Sequence, residues 1–289
     1  MSEKRLHLAH DLVMRAGDIA RQAHADAGLK ITSKGPGDLV SETDFAIETM
    51  MREAIGAAFP DDGIIGEEFG GAALDAGHTW LIDPIDGTVN FARKLGYFCI
   101  SLALLRDGHP VGALVLDPLR DELFHAGTDG IARLNGIPIR VAAEADFVEA
   151  VVGLGFSLRH NAGLNGQIVD GLTQAGAEHR RLGAGALCLA HVAAGRLNAY
   201  IEPHMNPWDA VGGLYLARCA GAVTGDYVGM GGLERGAPVY AASPPISEQL
   251  LAVLPAPFSG TPLHRQNEQR SAGELRVDRK PSPNVETKP

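Results

Sequence analysis

Trp80-Leu81-Ile82-Asp83-Pro84-Ile85-Asp86-Gly87-Thr88 is the stretch from which the rest of this chain is read. An apolar run delivers two carboxylates, three residues apart, into a turn built around Pro84 and Gly87. Two acids at the end of a buried strand repel each other and are costly to desolvate. A hard divalent cation removes both problems, because carboxylate and backbone oxygens are its preferred ligands. Pro84 fixes φ and has no N–H to leave unpaired. Gly87 allows a tight turn and a close approach. The bland alternative is a surface Asp-Pro turn followed by an Asp-Gly turn.

Two more acidic patches weigh against the bland alternative. Gly66-Glu67-Glu68 follows Gly63-Ile64-Ile65, which reads as a short buried strand. Pro207-Trp208-Asp209 precedes Ala210-Val211-Gly212-Gly213-Leu214-Tyr215-Leu216-Ala217. Asp209 sits where an apolar helix starts, and Gly221 is placed to end it. An Asp there reads as an N-cap or as a third carboxylate aimed at the same cations.

In this order the patches resemble the inositol monophosphatase family of Mg²⁺-dependent, lithium-sensitive phosphatases. Gly66-Glu67-Glu68, Asp83-Pro84-Ile85-Asp86-Gly87-Thr88-Val89-Asn90-Phe91 and Pro207-Trp208-Asp209 carry the resemblance. Gly37-Asp38-Leu39-Val40-Ser41-Glu42-Thr43-Asp44 adds a fourth match. The resemblance implies an α+β fold, the layered αβαβα sandwich of the inositol monophosphatase and fructose-1,6-bisphosphatase type. It implies two to three Mg²⁺ ions, with Asp83 bridging two of them. Glu67 and the Ile85 carbonyl complete one site, and Asp86 and Asp209 the other. It places the attacking water between Glu67 and Thr88, with Asp44 hydrogen-bonded to the Thr88 hydroxyl.

On the substrate side, the resemblance sets the phosphate on the Gly87 and Thr88 N–H groups. Glu202 matches an acid that meets a substrate hydroxyl, and Lys34 matches a loop lysine. Gly183-Ala184-Gly185 opens a helix whose N–H groups face hydroxyls or the phosphate edge. The middle position often carries a hydroxyl in the family and is Ala184 here, which loosens the preference for inositol. Ser157 supplies a hydroxyl after a strand, and His204 and Asn206 lie near Asp209. The implied reaction is hydrolysis of a small phosphomonoester, first of all myo-inositol 1-phosphate. Histidinol phosphate, a 3′(2′),5′-bisphosphate nucleotide and fructose 1,6-bisphosphate are the alternatives on the same fold. A non-catalytic interaction protein is the alternative of a different class. A homodimer is expected from the resemblance alone.

Composition fits such an enzyme. The 289 residues are 45% hydrophobic, ample for a core, and carry a net charge of −10, which argues against a nucleic-acid partner. Apolar runs are too short to span a bilayer. Met1-Ser2-Glu3-Lys4-Arg5 lacks a following signal-type core. Cys99, Cys188 and Cys219 read as reduced thiols in a cytoplasmic protein.

The apolar spacing predicts helices over 4–26 and 44–58. Strands are expected at Trp80–Asp83, Phe98–Leu105, Val111–Leu116, Glu122–Ala126 and Ile131–Leu134, with hairpin turns at 106–109 and Asn135-Gly136. Past about residue 145 the pattern alternates: strand 151–155, helix 167–175, helix 183–194, strand 197–202 and helix 209–220. The expected division is an N-terminal α+β part (1–145), a C-terminal α/β part (146–256) and a disordered tail (257–289).

Overall fold

In a computed structural model the chain is described over residues 2–26, 31–35, 38–71, 77–143, 146–157, 162–258 and 263–264. The first helix, α1 (Glu3–Ala25), begins at Ser2, whose hydroxyl accepts the Arg5 N–H. A hairpin of β1 (Ile31–Gly35) and β2 (Asp38–Ser41) leads into α2 (Glu42–Ala58). Ser41 caps α2, and Asp44 reaches back to the Ser41 N–H at 2.9 Å, a reciprocal capping box. Lys34 lies in β1, and its side chain falls outside the described residues.

The central sheet has eight strands. They are β3 (Gly63–Gly66), β4 (Gly70–Gly71), β5 (His78–Asp86), β6 (Cys99–Arg106), β7 (His109–Asp117), β8 (Glu122–Ala126), β9 (Arg133–Leu134) and β10 (Ile137–Pro138). Their order is β10-β9-β8-β7-β6-β5-β3-β4, and β3 with β5 is its parallel pair. Asp107 (φ 51°) and Gly108 (φ 75°) make the left-handed turn joining β6 to β7. A one-turn helix, α3 (Thr88–Ala92), follows β5.

A second sheet holds β11 (Val151–Leu154), β12 (Glu178–Arg180), β13 (Ala199–Met205), β14 (Val223–Gly225), β15 (Ala237–Ala242) and β16 (Leu263–His264) in the order β12-β11-β13-β15-β14-β16. Its helices are α4 (Ala162–Gln174), α5 (Gly185–Ala193), α6 (Pro207–Cys219), α7 (Gly232–Arg235) and α8 (Pro244–Val253).

Strand alternation sorts the side chains into layers. Trp80, Ile82, Ile100, Leu102, Leu104, Leu114 and Leu116 face α1 and α2, where they meet Leu12, Ala16, Ile47, Met51 and Ile55. The other face sends Leu81, Ala103 and Leu105 against α5 and α6, together with Tyr200, Val239 and Ala241 of the second sheet. The far face of that sheet packs Val152, Ile201 and Tyr240 against Ile168, Leu172, Ile246 and Leu250 of α4 and α8. The layers therefore run α1/α2, first sheet, α5/α6, second sheet, α4/α8, the expected αβαβα sandwich.

The middle layer is tight because small residues line it. Gly213 of α6 touches α5: a Cβ there would stand 2.5 Å from the Leu189 Cβ. Gly212 lies against β6, where a Cβ would stand 3.1 Å from the Ser101 Oγ.

Three expectations need correction. Asp209 is not the cap of its helix. Asn206 caps α6, Pro207 takes the first turn, and Asp209 sits three residues past the cap, accepting the Asn206 N–H at 3.3 Å. The start of the expected tail is ordered: Phe258 is fully buried and Leu263–His264 pairs with β14. Residues 265–289 lie outside the described residues. The strand expected at Ile131–Leu134 shrinks to Arg133–Leu134. No helix among the described residues is long and apolar enough to cross a membrane.

Gly213→Ala tests the middle layer. Overpacking at a helix crossing costs about 1–3 kcal/mol, more than the ~1 kcal/mol that alanine gains in helix propensity. The urea midpoint should fall with no change in slope.

Candidate metal centre and its surroundings

Register brings the first two acids together. In the parallel β3–β5 pair Gly66 stands beside Ile82, and the Glu67 N–H continues the ladder to the Ile82 carbonyl at 3.2 Å. Glu67 and Asp83 therefore emerge side by side at the carboxyl ends of neighbouring strands. Across the sheet, Asp83 pairs with Ser101 but Asp86 pairs with Cys99. Three steps on β5 oppose two on β6, so β5 carries a bulge, and Pro84 sits in it with no N–H to strand. The Asp83 Oδ1 accepts the Ile85 N–H at 3.0 Å, while its Oδ2 is buried without a hydrogen-bond partner.

The third acid arrives from the other half of the chain on the first turn of α6. Glu67, Asp83 and Asp209 each place a ligand oxygen within 4.8 Å of the other two. An all-oxygen set with one buried, unpartnered carboxylate oxygen suits a hard divalent cation. Burial, then Glu67, Asp209 and Asp86, hold the Asp83 carboxyl well above the usual carboxylate range.

Asp86 is placed differently. The N-terminus of α5 receives it: Gly185 N–H donates to Oδ1 at 3.1 Å, and Ala186 N–H to Oδ2 at 2.7 Å. Burial and Asp209 push this carboxyl up to about 7 against those hydrogen bonds. Asp86 thus lies beside the three-acid cluster, tied to the strip expected to meet substrate.

One cavity of about 720 Å³ gathers nearly every residue singled out in the sequence: Glu67, Asp83, Ile85, Asp86, Gly87, Thr88, Ser157, Gly183, Ala184, Gly185, Glu202 and Asp209. Gly87 has φ 91°, and a Cβ on it would stand 3.0 Å from the Ala184 Cβ. Glycine is needed here both for the turn and for the approach of the opposite strip. Ala184 is itself buried. Glu202 accepts the Tyr200 hydroxyl at 2.6 Å, and burial raises its carboxyl to about 8 although that bond opposes the rise.

The expected bond between Asp44 and Thr88 is not formed. The Thr88 hydroxyl donates to the Ile85 carbonyl at 3.0 Å, the same oxygen expected to serve a cation. Asp44 belongs to the cap of α2, where the Ser41 hydroxyl donates to it at 2.5 Å. Burial raises its carboxyl to about 6 in spite of the Ser41 bonds.

Several lining residues were not read from the sequence as site residues. Asn90 bolts the two halves: its Nδ2 donates to the Tyr97 carbonyl at 2.7 Å and to the Leu182 carbonyl at 2.8 Å. Its place inside the quoted motif was the available signal. Arg181 lies 4.5 Å over the Phe156 ring at the cavity wall, and nothing in the local sequence announces that pairing.

Fold and site together define a layered α+β protein whose two sheets line a cavity holding a carboxylate cluster of the kind that could hold a metal ion. The chain belongs to the inositol monophosphatase family, whose profile matches residues 1–256. It is 36% identical over 260 residues to an inositol-1-monophosphatase of Rhizobium meliloti, covering 88% of this chain and 97% of that one. It is 39% identical over 205 residues to the Nus factor SuhB of Xylella fastidiosa, covering 70% and 74%. The crystal structure of an IMPase/NADP phosphatase complexed with Mg²⁺ and phosphate superimposes with TM-score 0.75 at 25% identity, covering 88% and 96%.

The raised carboxyls set a pH dependence. Asp44, Asp86 and Glu202 have folded values of about 6, 7 and 8, so the folded chain binds more protons than the unfolded one. Their contribution to stability is full below the unfolded carboxylate range and is lost as pH rises through 6 to 8. In EDTA the melting temperature should fall from pH 5 to pH 8.5. Saturating Mg²⁺ should flatten that slope. Asp83→Asn should raise the melting temperature in EDTA at pH 8 and abolish the Mg²⁺-induced rise.

Proposed function

We propose that the chain is a metal-dependent phosphatase of small phosphomonoesters, with myo-inositol 1-phosphate as the first candidate substrate. The observation that carries this reading is the convergence of Glu67, Asp83 and Asp209 on one point of a cavity that also holds Gly87, Thr88 and Glu202. Glu67, Asp83, Asp209 and the Ile85 carbonyl would hold Mg²⁺, and Asp86 stands next to them for a second ion. Bound Mg²⁺ supplies a Lewis acid for a phosphoryl oxygen and acidifies a water.

The chain's own residues do the rest. Thr88 and Glu67, which line the same cavity, would orient the attacking water. The Gly87 and Thr88 N–H groups receive the phosphate. Glu202, held in the cavity wall by the Tyr200 hydroxyl that donates to it, is the acid that would meet a substrate hydroxyl. Ser157 lines the same cavity for a further hydroxyl, while the Gly185 N–H is engaged by Asp86.

A second reading is an interaction protein without turnover, favoured by the relative named Nus factor SuhB. Mg²⁺-dependent phosphate release from inositol, glycerol, histidinol, fructose and nucleotide phosphates separates the two. Turnover of none of them, with Mg²⁺ binding intact, supports the interaction reading.

Two substitutions probe the roles. Thr88→Ala should lower kcat far more than it raises KM, because orientation of the water matters in the transition state. Glu202→Ala should compress the kcat/KM ratio between inositol 1-phosphate and glycerol phosphate by about tenfold, the worth of roughly one hydrogen bond. An unchanged ratio removes Glu202 from substrate recognition.

A further inference from the structure

Helix α2 has two working faces. Ile47, Met51 and Ile55 fill the core, while Phe45, Glu48 and Arg52, spaced i, i+3 and i+7, share another face. That second face meets the turn between β3 and β4, which begins with Glu67.

Glu48 is fully buried. Its Oε2 accepts the Glu68 N–H at 2.8 Å, and its Oε1 accepts the Phe69 N–H at 3.3 Å and the Arg52 Nε at 2.7 Å. Arg52 carries the grip onward by donating from Nη2 to the Gly70 carbonyl. Phe69 is braced by the Arg52 guanidinium 5.7 Å from its ring centroid and by Phe45, edge-on at 5.7 Å. Gly66, on the other side of Glu67, presses on the same carboxylate: a Cβ there would land on the Glu48 Oε1. The residue before Glu67 and the three after it are therefore all held by one carboxylate and its arginine.

A buried carboxylate is costly unless its lone pairs are used. Those of Glu48 go to the main-chain N–H groups just past Glu67 and to the cation that grips Gly70. We infer that Glu48 is a positioning residue: with Arg52 it fixes the turn so that the Glu67 carboxylate meets Asp83 and Asp209. This rests on the reading of Glu67 as a metal ligand. Register with Ile82 holds Glu67 from the strand side, and Glu48 holds it from the turn side. Loss of such an outer partner leaves the ligand present but loosely aimed.

The test is calorimetric titration of Mg²⁺ and Mn²⁺ into the full chain. Glu48→Gln keeps the volume but sets an amide N–H against the turn's donors. The Mg²⁺ dissociation constant should rise about 10–100-fold, the usual loss for an outer partner. Where phosphate release is measurable, kcat at saturating Mg²⁺ should largely recover. A merely structural role would lower the melting temperature in EDTA and leave the dissociation constant at its wild-type value; that result in folded Glu48→Gln overturns the inference. Should Glu48→Gln fail to fold, Arg52→Gln and Gly66→Ala disturb the same grip, and wild-type affinity in both overturns it. Wild-type protein that binds no divalent cation sinks the metal centre and this role with it. Wild-type protein that binds Mg²⁺ but hydrolyses no ester sinks the phosphatase reading alone, and the affinity shift still decides the role of Glu48.

Discussion

Glu67, Asp83, Asp86, Glu202 and Asp209 crowd five carboxyl groups into one cavity, and the architecture around it follows from that crowding. Each acid is delivered on a main chain that cannot easily move: two on the ends of a parallel strand pair, one on a bulge, one inside β13 and one on the first turn of α6. Carboxylates so close in a low-dielectric site raise one another's proton affinity, as at Asp83. Protons, a cation or donated hydrogen bonds can relieve that repulsion. Asp86 uses the third route at the N-terminus of α5. A cation bound at that corner would compete with those N–H groups for the same two oxygens.

The halves of the site are joined by small, local devices. Asn90 spans two carbonyls, one on its own loop and one just before Gly183. Gly87 lets the Gly183–Ala184 strip come close. Both devices act through the main chain, so the spacing between the phosphate side and the hydroxyl side of the cavity does not depend on long flexible side chains.

Much of this was legible in the sequence. Amphipathic spacing located α1 and α2 to within two residues, and Asp107-Gly108 and Asn135-Gly136 marked real left-handed turns. Asp83 and Asp86 stood out because carboxylates are rare at the end of an apolar run, whereas Glu67, Asp209 and Glu202 were marked only by the family resemblance, each alone reading as a cap or a surface acid. The cap of α6 was misplaced by three residues although Pro207 carries the signal: proline prefers the first helical turn, which puts the cap at Asn206. The Thr88 partner was not legible, because whether a hydroxyl turns to Ile85 or to Asp44 is settled by distances across elements. Phe258 and Leu263–His264 were hidden by polar neighbours, since a short edge strand can be added to a sheet with little apolar material of its own. β15 and α8 went unread because Pro238, Pro244 and Pro245 break up the pattern there.

The layer of α5 and α6 belongs to both sheets at once, since Leu81 and Ala103 on one side and Tyr200 and Val239 on the other share its surface. Neither sheet keeps a covered inner face if the other melts. Unfolding should therefore be a single cooperative event, with no stable half-molecule along the way. Severing the chain between the sheets, near residue 145, yields two pieces that each expose a broad apolar face, so they recombine or aggregate and do not stand alone.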